Sequence, residues 1–151
     1  NNLKLEDYLI FLSGQQNLIN EKINSKANNG FIIADTDALV TKMYATYYAG
    51  DSNFTITNSE ADTIASVADL YAAKIKWDKI FVLAPHGEFI DDGVRFMGHS
   101  NIETRMELFQ LLMNELRKMG LMHKVVILNG NYYENYLSVL NYIKNEVLHE
   151  N

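Results

Sequence analysis

Three short apolar runs, each set between stretches of helical periodicity, constrain this chain more than any other feature. The runs are Phe31-Ile32-Ile33-Ala34, Ile80-Phe81-Val82-Leu83-Ala84 and Lys124-Val125-Val126-Ile127-Leu128. Each is too short for a helix and apolar at successive positions, as expected of strands buried on both faces of a parallel sheet. Between them, apolar residues recur three and four apart. Leu5, Leu9, Leu12, Ile19 and Ile23 predict a helix over residues 5–27, weakened at Ser13-Gly14. Leu39, Met43 and Tyr47 predict a second over 38–48, closed by Gly50, and a third over 59–74 opens on Ser59 as its cap. Ile102, Met106, Phe109, Met113 and Leu116 mark a fourth over 102–118, and Tyr133, Tyr136, Leu140, Ile143 and Val147 a fifth over 133–147.

Strands alternating with helices define an α/β chain, a three-layer parallel sheet covered by helices on both faces. Ligands in such sheets bind outside the carboxyl ends of the strands. Here those ends carry Asp35-Thr36-Asp37, a long loop over residues 85–101 that follows the only Pro, and Asn129-Gly130-Asn131.

With 151 residues, 48% of them hydrophobic, the chain has enough apolar mass for one core, so a single α/β domain over residues 1–151 is expected. The absence of Cys excludes disulfides, thiolate metal sites and a Cys nucleophile, and favours a cytoplasmic location. No apolar run approaches the roughly 20 residues that cross a bilayer, so no membrane partner is expected. A formal net charge of −6 argues against direct nucleic-acid binding, which needs clustered Lys and Arg. Any phosphate site is therefore local. The four His residues, His86, His99, His123 and His149, lack metal-ligand spacing.

Asp35 and Asp37 are the first candidates for chemistry. A carboxylate directly after an apolar strand stands where a Mg2+-holding acid is found, which suits Asp35. Asp37 reads equally well as a second site acid or as the cap of the following helix. In the long loop, Glu88-Phe89-Ile90-Asp91-Asp92-Gly93-Val94-Arg95 combines an aromatic, paired acids and an Arg, and Arg105 follows on the next helix. Guanidinium forks bind phosphate oxygens bidentately. The structural alternatives pair Arg95 with Asp91 or Asp92, and Arg105 with Glu103 or Glu107. Of the aromatics, Tyr47 is assigned to packing, while Tyr48 and Phe89 are kept as rings able to stack on a ligand. His86 and His99 are assigned to the loop surface.

Taken in order, FIIADTDALVTKMYATYY, WDKIFVLAP and EFIDDGVRFMG with Arg105 and FQLLMNEL resemble the later part of NadR-type ribosylnicotinamide kinase domains, an AAA-like group of P-loop nucleoside kinases. The resemblance implies transfer of the ATP γ-phosphate, with Mg2+, to ribosylnicotinamide or a related nucleoside, giving nicotinamide mononucleotide. By position it implies Asp35 as the metal acid and Asp37 as a substrate-side or base residue. It places Asp91, Asp92, Arg95 and Arg105 on a substrate-covering lid, and Tyr48 and Phe89 against the substrate. Two alternatives are a pyridine-nucleotide-sensing domain of a NadR-like regulator and a nucleotide kinase with another acceptor.

The departure from the pattern is the missing G-x-x-x-x-G-K-[ST], the loop that cradles a triphosphate. A start at Asn1-Asn2 without Met suggests an excised piece of a longer protein, so truncation is the expected reason, and the piece alone is expected to bind ATP poorly. In the family the missing strand lies between the strands expected at 31–34 and 80–84. Those two must then pair directly, recruit another chain, as in a homo-oligomer, or leave an unpaired edge.

Overall fold

The computed structural model describes residues 3–25, 30–86 and 101–148. Helix α1 (Leu5–Asn24) passes through Ser13-Gly14 unbroken, because Tyr8, Leu12, Gln16 and Ile19 hold one buried stripe on both sides of it. Helix α2 (Ala38–Tyr48) has the expected bounds. Helix α3 (Asn58–Ala72) begins earlier than expected, on Thr57 instead of Ser59. Thr57 and Glu60 cap each other: the Thr57 hydroxyl accepts from Glu60 N–H at 3.3 Å, and the Glu60 carboxylate accepts from Thr57 N–H at 2.8 Å. That reciprocal pair satisfies two free amides, where Ser59 would satisfy one. Strand β1 (Ile80–Leu83), helix α4 (Ile102–Lys118), strand β2 (Val125–Leu128) and helix α5 (Tyr132–Tyr142) complete the order, and a widened π-type turn, Ile143–Val147, extends α5.

β1 and β2 pair in parallel, with Ile80 opposite Val125 and Leu83 opposite Leu128. Residues 31–34 are not the strand their apolarity predicts. Among the described residues they join no ladder, and Phe31 and Ile33 are 39% and 70% exposed. A run of β-formers becomes a strand only where a neighbour takes up its amides and carbonyls. Of the three outcomes set out for this segment, direct pairing with β1 is not the one adopted among the described residues.

The two-stranded sheet is covered on both faces. Val82 is buried against Leu39 of α2, Ala72 of α3 and Met113 and Leu116 of α4. Phe81, pointing the other way, meets the ring of Tyr142 edge-on at 5.4 Å, with the Lys79 ammonium 5.1 Å from the centre of the same ring. A second cluster joins α1, α2 and α3 through Leu12, Ala45, Ile64 and Ala68. Alanines at the contact let these helix axes approach closely.

One polar group sits between the helices. Lys42 of α2 donates to Asp69 of α3 at 2.8 and 3.0 Å and pairs with Glu115 of α4 at 2.5 Å. Lys118 closes the set, 2.6 Å from the other Glu115 oxygen. Burial alone would lower the Lys42 pKa, but its hydrogen bonds to Asp69 and Glu115 hold it above the usual 10.5. Burial alone would raise that of Glu115, but Lys118 and Lys42 hold it below 4.5. The Lys42 and Glu115 side chains are each 13% exposed, between surface and fully buried pairs, so Glu115→Gln should cost about 2 kcal/mol and lower Tm by roughly 4–8 °C. A lowered carboxylate pKa stabilises above its unfolded value and loses that contribution as pH falls through the folded value. Acid unfolding of the wild type should therefore steepen below pH 4.5, and Glu115→Gln should lack that part of the pH dependence. A thermal melt series across this range checks both.

Candidate functional site

Asp37 is the N-cap of α2, and both its oxygens are taken: one accepts from Leu39 N–H at 2.9 Å, the other from the Trp77 indole N–H at 3.0 Å. The Trp77 carbonyl in turn accepts from the Lys124 ammonium at 2.7 Å. Trp77 lies just ahead of β1, and Lys124 immediately precedes β2. The start of α2 is thereby tied to the segments that enter the sheet. For Asp37, the cap is the alternative the structure adopts.

Asp35 is exposed and makes no hydrogen bond among the described residues. Between the two acids, Thr36 has φ 65°, the left-handed region, at a cost of about 1–3 kcal/mol for a β-branched residue. Gln15 of α1 holds its hydroxyl at 3.1 Å. This bend turns Asp35 outward while Asp37 turns in.

At the other end of the sheet, the chain leaves β1 through Ala84, Pro85 and His86. Ala84 N–H donates to Leu128 O at 2.8 Å and prolongs the ladder by one bond. Arg105, in the first turn of α4, donates through Nη2 to the His86 carbonyl at 2.8 Å. Through this bond Arg105 faces the carboxyl end of β1. The turn after β2 is closed by the buried Asn135, whose amide both accepts from Gly130 N–H and donates to Gly130 O. A Cβ on Gly130 would lie 2.8 Å from that of Glu134, so this turn needs Gly. Asn131 caps α5, and Tyr132 beyond it is 85% exposed, its ring 6.0 Å from that of His86.

The two ends are far apart. Lys42 pairs with Glu115, whereas Tyr47 donates to Glu107 at 3.3 Å, so α2 and α4 run antiparallel. Asp37, at the start of α2, lies toward the Glu115 end of α4. Arg105 and Glu115 are ten residues apart in α4 (115 − 105), about 15 Å along the axis. Asp35 lies within about 7 Å of Asp37 along the chain. Asp37 and Arg105 therefore do not meet. Phe89, Asp91, Asp92 and Arg95, with His99, lie outside the described residues.

The aromatics divide differently from the sequence reading. Tyr48 stacks on Phe54 with ring centres 3.9 Å apart and packs against the α1–α2–α3 cluster. Burial, aided by Tyr44 and Tyr47, pushes its phenol up to about 12. Tyr47, one residue earlier, lines an open cleft of about 460 Å³ with Met106, Glu107, Gln110, Leu111 and Asn114 of α4. Of the two rings, Tyr47 is the one that lines this cleft.

A profile of the AAA domain family matches residues 1–135. The chain belongs to that family. No curated protein matches it significantly. Among solved structures, it is similar to a NadR protein in complex with NR, with 32% identity, TM-score 0.78 and coverage of 96% of this chain and 38% of the other. A NadR protein in complex with NAD and AMP-PNP is also similar, with 28% identity, TM-score 0.72 and coverage of 96% and 36%. This AAA-family chain therefore has the NadR-type P-loop kinase fold, and it spans a little over a third of the NadR chains it matches.

Sequence reading of this AAA-family chain passed over Trp77, Lys42 and Asn135. Each left a signal: Trp77 is the only Trp and stands just ahead of a strand, and Lys42 lies three residues after Leu39 on the apolar stripe of α2. Asn135 left only its spacing from Gly130. Since a hydrogen bond to a charged acceptor contributes about 1.5–3 kcal/mol, a double-mutant cycle of Asp37→Ala and Trp77→Phe should give a coupling of at least about 1 kcal/mol in urea unfolding. Strictly additive effects would show that the two side chains do not interact.

Proposed function

We propose that this chain is the nucleoside-binding part of an ATP-dependent kinase that transfers the γ-phosphate to the ribose hydroxyl of ribosylnicotinamide, giving nicotinamide mononucleotide. The observation that carries this reading is the likeness, over 96% of the chain, to a NadR protein holding NR. The second NadR structure, with NAD and AMP-PNP, supports nucleotide chemistry on the same scaffold.

Arg105 is the residue whose position best suits phosphate. It stands at the carboxyl end of β1, where parallel sheets gather their ligands, and its fork is aimed at the segment entering the 87–100 loop. In the reaction Arg105 and Arg95 neutralise charge on the transferring phosphoryl group. Asp91, Asp92 and Phe89 of the same loop cover the acceptor.

Among the described residues no three metal-ligating side chains cluster. Mg2+ takes one or two carboxylates and fills its shell with water and phosphate oxygens, but the exposed Asp35 lies toward the opposite end of α4 from Arg105 and does not reach a phosphoryl group held there. A bound Mg2+ would supply charge neutralisation to the phosphate oxygens. In the intact protein with ATP, Mg2+ and ribosylnicotinamide, Arg105→Ala should lower kcat by about a hundredfold or more while Tm stays nearly unchanged. Asp35→Asn should leave both turnover and the fold in place. Full activity in Arg105→Ala removes that residue from the mechanism, loss of turnover in Asp35→Asn restores Asp35 as the metal acid, and consumption of a different nucleoside by the wild type replaces the acceptor.

A further inference from the structure

The turn that joins β2 to α5 contains Asn129-Gly130, one of two Asn-Gly pairs in the chain and the one whose residues are both described. An asparagine followed by glycine is unusually reactive, because no side chain shields the backbone nitrogen that follows it. That nitrogen attacks the side-chain amide carbon, ammonia leaves, and a five-membered succinimide remains. Water then opens the ring at either carbonyl, giving aspartate or isoaspartate. Packing keeps glycine at this position: a Cβ on Gly130 would lie 2.7 Å from Oε2 of Glu134 and 2.8 Å from its Cβ. Asn129 is exposed, and its side chain makes no hydrogen bond among the described residues. The electrophile is therefore open to attack, and the restraint falls on the nucleophile.

That restraint comes from Asn135. Its buried side chain accepts from Gly130 N–H at 3.0 Å and donates to Gly130 O at 2.9 Å, so one residue holds both polar groups of the glycine. Attack needs the Gly130 nitrogen to lose its proton and to swing onto Asn129. A proton engaged in a hydrogen bond opposes the first step, and a backbone gripped on both sides opposes the second. The Glu134 carboxylate, beside Gly130 and accepting from Asn131 N–H at 2.9 Å, adds negative charge that disfavours an amide anion there.

We propose that Asn129 is a latent deamidation site, and that the grip of Asn135 on Gly130 sets how fast it converts. Water is the only co-reactant. The bond from Gly130 N to Asn129 Cγ forms, the bond from Cγ to the side-chain nitrogen breaks, and the Gly130 proton leaves with the ammonia. Either product puts a new carboxylate at the carboxyl end of β2, the end of the sheet at which His86 and Arg105 stand. Isoaspartate also adds a backbone carbon just ahead of Gly130, and so loosens the turn from which α5 starts. None of this depends on the nucleoside-kinase reading.

The intact protein is incubated at neutral pH, with and without guanidinium chloride, and conversion at Asn129 is followed by peptide mapping with mass spectrometry. The folded protein should convert roughly tenfold or more slowly than the unfolded chain, because the turn must first open. Folded Asn135→Ala should convert within about threefold of the unfolded rate. Equal rates in folded and unfolded wild type overturn the proposal, as does full protection in folded Asn135→Ala. Should that variant not fold, hydrogen exchange of the Gly130 amide in the wild type decides. Exchange slowed by a factor similar to that of the conversion supports the grip of Asn135, and exchange as fast as in an unstructured chain removes it.

Discussion

The Lys42 ammonium fixes how the helices of this chain lie against one another. Asp69 on α3 and Glu115 on α4 both point at it, and the group lies where apolar side chains would otherwise meet. A half-buried cation is tolerable only with partners in place, so each helix is held to one register relative to the other two. With Lys42 opposite Glu115, Tyr47 has to fall opposite Glu107, and the end of α2 meets the start of α4. That register builds the cleft.

The same register accounts for the separation of Asp37 from Arg105. Sequence adjacency to an apolar run suggested that the acids crown a strand on the ligand side of the sheet. The run at 31–34 forms no strand among the described residues, so nothing carries the acids to the carboxyl end. Trp77 instead draws Asp37 toward the entry to β1. A β-rich run is a statement about side chains, whereas a strand is a statement about backbone partners, and only the first is written in a local stretch of sequence.

Helical parts were legible almost to the residue, because α2 and α4 satisfy periodicity, caps and breakers together. So were β1 and β2, each of which has the other as neighbour. Three details escaped, and each depends on contacts distant in the chain. The cap of α3 moved to Thr57 because two reciprocal bonds outweigh one. Tyr48 stacks on Phe54 while Tyr47 lines the cleft, because successive helical residues point about 100° apart. The turn at Thr36 adopts positive φ, which no β-branched residue advertises.

The two ends of the sheet differ in how completely their polar and apolar groups are satisfied, and that contrast is the strongest structural pointer to the ligand side. At the entering end, Asp37, Trp77 and Lys124 saturate one another, as in a joint whose work is to stay closed. At the leaving end, Leu83 is 64% exposed, and Tyr132 and Tyr133 are 85% and 69% exposed. Large apolar and aromatic side chains left in water at the end of a parallel sheet have an unfavourable contact that a flat, partly apolar ligand relieves. Arg105 adds a charge-assisted donor at that end.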